Sequence, residues 1–154
     1  WMILSGNKRI AADYIEGIKM LSNMRLCSNV PAQSIVQTAL GGHQSVRDYI
    51  APGGRIYEQR EYIYQALTDI PGITAVKPKA AFYIFPKLDI RKFHITDDEK
   101  FVLDLLKDKK ILLIHGGGFN WNQPDHFRVV YLPRLEVLKE SVEKIADFLS
   151  YYHQ

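Results

Sequence analysis

Cysteine is almost absent from these 154 residues: Cys27 stands alone. A disulfide framework within the chain is therefore excluded, and a reducing, cytoplasmic setting is expected. Long apolar runs are missing too. None approaches the roughly 18 residues that a membrane-spanning helix needs, so no membrane partner is expected. Neither sign of charge dominates, with 20 Lys and Arg against 17 Asp and Glu for a net charge of +3. The basic residues are scattered and form no stripe of the kind that neutralises a phosphate backbone. Nucleic acid is not an expected partner. His43, His94, His115, His126 and His153 never fall three or four residues apart. That spacing gives a metal site no support.

What is present is enough to build a core. Hydrophobic residues make up 47% and aromatics 12%, which argues against global disorder. The length suits one modest domain, or one domain with an appendage. Trp1-Met2-Ile3-Leu4 reads as a buried strand closed by the turn Ser5-Gly6. A chain that opens on such a strand is expected to be a piece of a longer one. Asn7 can cap a helix on which Ile10, Tyr14, Ile18 and Leu21 share a face, up to about Met24. Pro31 suits the first turn of a second helix that ends at Gly41-Gly42. Ile56, Arg60, Ile63, Leu67 and Ile70 form the stripe of a long helix stopped by Pro71-Gly72.

Two extended runs follow, Ile73 to Lys77 and Ala81 to Phe85, around Pro78-Lys79. Thr96-Asp97-Asp98-Glu99 has the form of a capping box, with Thr96 as N-cap and Glu99 reaching back. It opens a helix with Phe101, Val102, Leu105 and Leu106 on its inner face. Ile111 to Ile114 reads as a buried strand, and His126 to Leu132 as another, stopped by Pro133. Leu138, Val142, Ile145, Leu149 and Tyr152 share one face of the last helix. From residue 73 the order is strand, strand, helix, twice over. Short links predict a hairpin at each strand pair, and so an α+β fold with a small antiparallel sheet covered by helices.

Two features carry chemical interest. His115-Gly116-Gly117-Gly118-Phe119 matches the oxyanion-hole loop of some lipases and esterases. That chemistry needs a nucleophile elbow, and no G-x-S-x-G occurs. The only later serines, Ser141 and Ser150, fall on the final helix. A glycine turn where backbone passes close to something is the plainer reading. The second feature is Arg128, inside a strand and on the same face as Val130 and Leu132. A buried guanidinium needs an anion. An internal carboxylate is the more ordinary partner by pattern alone; a ligand carboxylate held as a two-pronged fork is the other.

Four stretches together resemble the fold-type-I aminotransferases of classes I and II, specifically their alanine-aminotransferase-like branch. They are Trp1-Met2-Ile3-Leu4-Ser5-Gly6, Met24 to Gln33, Pro78 to Pro86, and Gly116 to Phe119 followed by Phe127-Arg128-Val129-Val130. They occur in the family's order and run nearly end to end. Ala81 stands where the family usually has glycine, and His115 where proline is common.

The resemblance implies residues 1–30 as a remnant of a large cofactor-binding domain with its connecting segment. Residues 31–154 would be a C-terminal small domain with interdomain helices. It implies transfer of an amino group between an alanine-like amino acid and a 2-oxo acid, in a homodimeric, pyridoxal-phosphate-dependent parent. Arg128 is similar to the arginine that grips the substrate carboxylate. Gly118 and Phe119 resemble the substrate-side loop, and Asn29 a residue that approaches the cofactor-bearing active site of a partner subunit; a plain loop-capping role is the other reading of Asn29. No catalytic residue is expected here, because the lysine that holds the cofactor would precede Trp1. The chain alone is expected to bind no cofactor and to be inactive. A free-standing α+β ligand-binding or regulatory module is the alternative.

Overall fold

In the computed structural model, which describes residues 2–154, the chain divides into two units, Trp1–Gln44 and Ser45–Gln154. In the first, the Asn7 side chain accepts from the Arg9 N–H and opens a 3₁₀ turn, Lys8–Ala11. Helix α1 (Ala12–Asn23) continues from it. Helix α2 (Val30–Gly41) carries Pro31 in its first turn, where the missing N–H is no loss. The strand expected at Trp1 to Leu4 does not form over Met2–Leu4, and Trp1 lies outside the described residues. A strand needs a ladder partner, and the described residues of this unit include no strand. None of residues 2–44 is buried.

The second unit starts with the short α3 (Val46–Ile50) and turns sharply into α4 (Arg55–Thr68). Gly54 makes that corner: a Cβ there would stand 2.2 Å from the Asp48 carbonyl oxygen. Five short strands follow, interleaved with helices: β1 (Ile73–Thr74), β2 (Tyr83–Ile84), β3 (Lys87–Leu88), α5 (Asp98–Lys109), β4 (Ile114–His115), β5 (Phe127–Val130) and α6 (Leu135–Tyr151). All pairings are antiparallel, as expected for an α+β fold. The first expected hairpin is not there. β1 pairs with β3 (Ile73 opposite Leu88), whereas β2 pairs with β5 (Tyr83 opposite Val130). Pro86 separates β2 from β3, since it offers no N–H to the ladder. Its carbonyl still accepts from Phe127 N–H, and Leu88 N–H donates to Asp125 O, so β2 and β3 run in line along the β5 segment. The second pair does form, β4 against β5. Residues 111–114 are not uniformly buried, however: Leu113 points inward while Leu112 and Ile114 lie exposed.

One apolar core fills this unit. Ile63 and Leu67 of α4, Phe101 and Leu105 of α5, and Ile145 and Phe148 of α6 meet Ile84, Phe127 and Tyr131, all nearly inaccessible to solvent. The predicted stripe of α6 is buried in full, Leu138 through Tyr152. The cap of α5 differs from expectation. Asp97 is the N-cap and accepts from Lys100 N–H, so Thr96 is left outside the helix. Thr96 instead donates both its N–H and its hydroxyl to Gln154 Oε1, at the other end of the unit.

Candidate functional site

Strand β5 alternates strictly. Phe127, Val129 and Tyr131 enter the core, and Arg128, Val130 and Leu132 face the other way. Ile114 lies directly opposite Arg128, and Tyr83 opposite Val130, so these side chains share the outer face of the sheet. The guanidinium lies 4.2 Å from the centre of the Phe119 ring and 5.3 Å from that of Tyr83. Such cation–π contacts attract and orient the group. They accept none of its hydrogens.

The internal ion pair favoured by pattern is absent. Among the described residues no carboxylate lies within salt-bridge distance of Arg128, and its Nε is shut off from solvent with no acceptor. The physical reason is its face: the neighbours on the outer side of this sheet are aliphatic and aromatic. A buried N–H left unpaired costs about 1–3 kcal/mol. A cleft of about 670 Å³ also borders Arg128, but Leu138, Val142 and Ile145 line it from the core side. Its lining omits Phe119 and Tyr83, so the cleft and the aromatic face of the guanidinium are different places.

Phe119 reaches Arg128 from a 3₁₀ turn, Gly116–Phe119, in the long connection between β4 and β5. Gly116 N–H donates to His126 O at 2.8 Å, and Gly117 N–H to Asp98 Oδ2 at 2.7 Å. Asn120, at φ +58°, ends the turn in the left-handed region that Asn tolerates. Gly118, packed against Ile114 and the His115 ring, completes the turn. Nothing here resembles a hydrolase site. The hydroxyls of Ser141 and Ser150 donate to carbonyls of their own helix.

A second cluster backs the turn, and sequence reading missed it. Phe85 stacks on His126 (4.7 Å between centres) and meets Trp121 and Phe119 edge-on. Beneath these rings Asp125 is buried. It accepts from Trp121 Nε1 at 2.8 Å, lies 2.6 Å from His126 Nδ1 and pairs with Lys87 at 3.3 Å. Burial pushes the Asp125 carboxyl up, but the hydrogen bonds from His126 and Trp121 outweigh it and hold the group below its ordinary value. Only the neighbouring Asp125-His126 pair was visible in sequence; Trp121 and Phe85 come from elsewhere. Tyr83 was missed as a neighbour of Arg128 for the same reason. Asn29 lies in the other unit, where its Oδ1 caps α2 by accepting from Ala32 N–H.

A family model described as "Aminotransferase class I and II" matches residues 3–145. The glutamate-pyruvate aminotransferase AlaA of Haemophilus influenzae is 58% identical over all of this chain, and the match covers 38% of that protein. The alanine aminotransferase of Mycobacterium tuberculosis is 51% identical, again over the whole chain and 36% of its own length. Among solved structures, an aminotransferase from Escherichia coli is similar with a TM-score of 0.86 at 55% identity, over all of this chain and 38% of that one. An alanine aminotransferase from Pyrococcus furiosus gives 0.76 at 38% identity, over 91% of this chain and 35% of its own. The chain thus spans a little over a third of the length of these relatives.

Proposed function

The chain belongs to the aminotransferase class I and II family, and from that premise we propose that it is the carboxylate-gripping part of a transaminase. The parent would move an amino group between an alanine-like amino acid and a 2-oxo acid. Arg128 takes the carboxylate common to both substrates, as a planar fork whose parallel N–H donors fix the substrate's orientation. The observation that carries this reading is the Arg128 Nε, sealed from solvent with no acceptor of its own. Phe119 and Gly118 form the wall beside it. The free-standing binding module gains nothing here, since the matched relatives are aminotransferases over the whole of this chain.

Pyridoxal phosphate, when bound in the parent, supplies the electron sink for the transfer. The side chains that share the face of Arg128 do not make its cradle. They are Phe119, Tyr83, Ile114 and Val130, with no amine among them. Lys110, further along, gives its Nζ to Lys107 O. These residues offer a carboxylate its fork and offer the cofactor's aldehyde no amine. We therefore assign the cofactor's lysine, and residues 1–30 with it, to a larger domain of the parent. The Asn29 oxygen is committed to its helix cap, which leaves the amide nitrogen for contact with a partner subunit in a cytoplasmic homodimer.

The test is Arg128→Lys in the full-length parent, a change that keeps the charge and loses the fork. KM for both amino acid and 2-oxo acid should rise by about two orders of magnitude. Unchanged KM values would refute the grip. Mixing the isolated chain with pyridoxal phosphate should leave the cofactor's absorbance as it is in buffer.

A further inference from the structure

We propose that Asp98 is a positioning residue for the Arg128 site. The inference rests on the carboxylate grip assigned to Arg128. Asp98 is the first residue of α5, yet its own helix does not use its carboxylate, because Asp97 already caps that end. The Asp98 Oδ2 instead accepts from Gly117 N–H at 2.7 Å. The fit is close: a Cβ on Gly116 would stand 3.3 Å from the carboxylate, and one on Gly117 3.5 Å. The backbone of Gly116 and Gly117 thus lies within contact distance of the Asp98 carboxylate.

Three successive glycines have more backbone freedom to lose than any other tripeptide. Such a turn holds one shape only if hydrogen bonds fix its backbone; Asn120 N–H donates to Gly117 O within it, and the rest come from outside. A carboxylate accepting from a backbone N–H is among the stronger neutral–ionic hydrogen bonds. The opposite side of the turn is held by Gly116 N–H donating to His126 O. From these two adjacent anchors the turn runs on to Phe119 and is closed beyond it by the Asn120 bond to Gly117 O; the Phe119 ring lies over the Arg128 guanidinium at 4.2 Å. Placement thus passes from the start of α5 through Asp98 and Gly117 to Phe119, and from there to the group that grips substrate. Asp98 reaches the substrate only through this route.

The experiment compares Asp98→Ala, Asp98→Asn and Phe119→Leu in the full-length parent, with Arg128→Lys as control. Asp98→Ala should raise KM for the amino acid about tenfold while kcat stays within about threefold. Asp98→Asn, which keeps an oxygen acceptor, should recover most of that loss. In the Phe119→Leu background the Asp98→Ala effect should shrink to less than about twofold, since the two then lie on one route. An unchanged KM in Asp98→Ala overturns the proposal, as does an effect of undiminished size without the Phe119 ring. If Arg128→Lys raises KM and Asp98→Ala does not, only the positioning role fails. If Arg128→Lys is silent, the grip itself fails. Should Asp98→Ala not fold, hydrogen exchange decides in Asp98→Ser, whose shorter side chain withdraws the acceptor: the Gly117 amide must be protected in the parent and exchange faster in Asp98→Ser, and equal rates overturn the proposal.

Discussion

Trp1–Gln44 and Ser45–Gln154 are both rich in helix, and both carry apolar residues at helical spacing, yet they differ in burial. In the first unit Ile10, Tyr14 and Leu21 are 86%, 71% and 68% exposed, and nothing from residue 2 to 44 is buried. In the second, Phe101, Leu67 and Tyr131 show no exposed surface at all. Periodicity dictates where a helix forms and which side of it is apolar. It does not supply the surface that side packs against. The two units show these as separate requirements, met together only in the second.

The sharpest way to break the comparison is to remove a ring from the filled core. Phe101→Ala should cost about 3–5 kcal/mol, whereas Leu21→Ala, equally apolar by sequence, should change stability by no more than about 0.5 kcal/mol. Urea unfolding followed by near-ultraviolet circular dichroism reads both. Equal losses would mean that the first unit shares a cooperative core. Next in size is the polar anchor of the second unit. Asp125→Ala strands the Trp121 and His126 N–H donors beneath the aromatic rings, for a loss of about 1–3 kcal/mol.

Its acid dependence follows from the sign of the shift. The folded carboxyl titrates below its ordinary value of 3.8. Its contribution is therefore complete well above pH 3.8 and is lost as pH falls through the lower, folded value. Asp125→Asn cannot titrate. The difference in urea midpoint between the two proteins should be widest at pH 7 and narrow towards pH 3. A constant gap would assign the effect to shape and not charge.

A smaller effect is expected at the chain's end. Gln154 Oε1 accepts from Thr96 N–H, Thr96 Oγ1 and Asp97 N–H, while its Nε2 donates to Asp97 O. Gln154→Ala should cost about 1 kcal/mol, with the exchange rate of the Thr96 and Asp97 amides rising first.

How much could be read in advance follows the same division. The stripes of α4, α5 and α6 were legible because each buried face repeats within one segment. Arg128 was legible as an anomaly, since a guanidinium interrupts an apolar strand, but its partner was not: sequence gives the alternation of β5 and not the identity of the opposing residues. The first hairpin failed because strand pairing is a contact between segments that local pattern does not join: 73–74 took 87–88 as partner, and 83–84 took 129–130. Asp98 stood inside the expected capping box and was given no role of its own. The hydrogen bond that matters joins it to Gly117, nineteen residues away. Local chemistry was readable; which local pieces met was not.

The smallest change in stability is also the most direct probe of the exposed unit. Replacing Ile10 and Leu21 by Ser removes apolar surface that the described chain leaves open, so the folded unit gives up no buried contact and unfolding should shift by no more than about 0.5 kcal/mol. Association should respond far more. Exposed apolar side chains in this number drive chains together, and the isolated chain is expected to self-associate at micromolar concentration in sedimentation velocity. The double substitution should move the distribution towards monomer without altering the melting of Ser45–Gln154. If it remains associated, the sticky surface lies on the second unit, where Leu112 and Val76 are 77% and 87% exposed, and the contrast between the units would concern burial alone and not association.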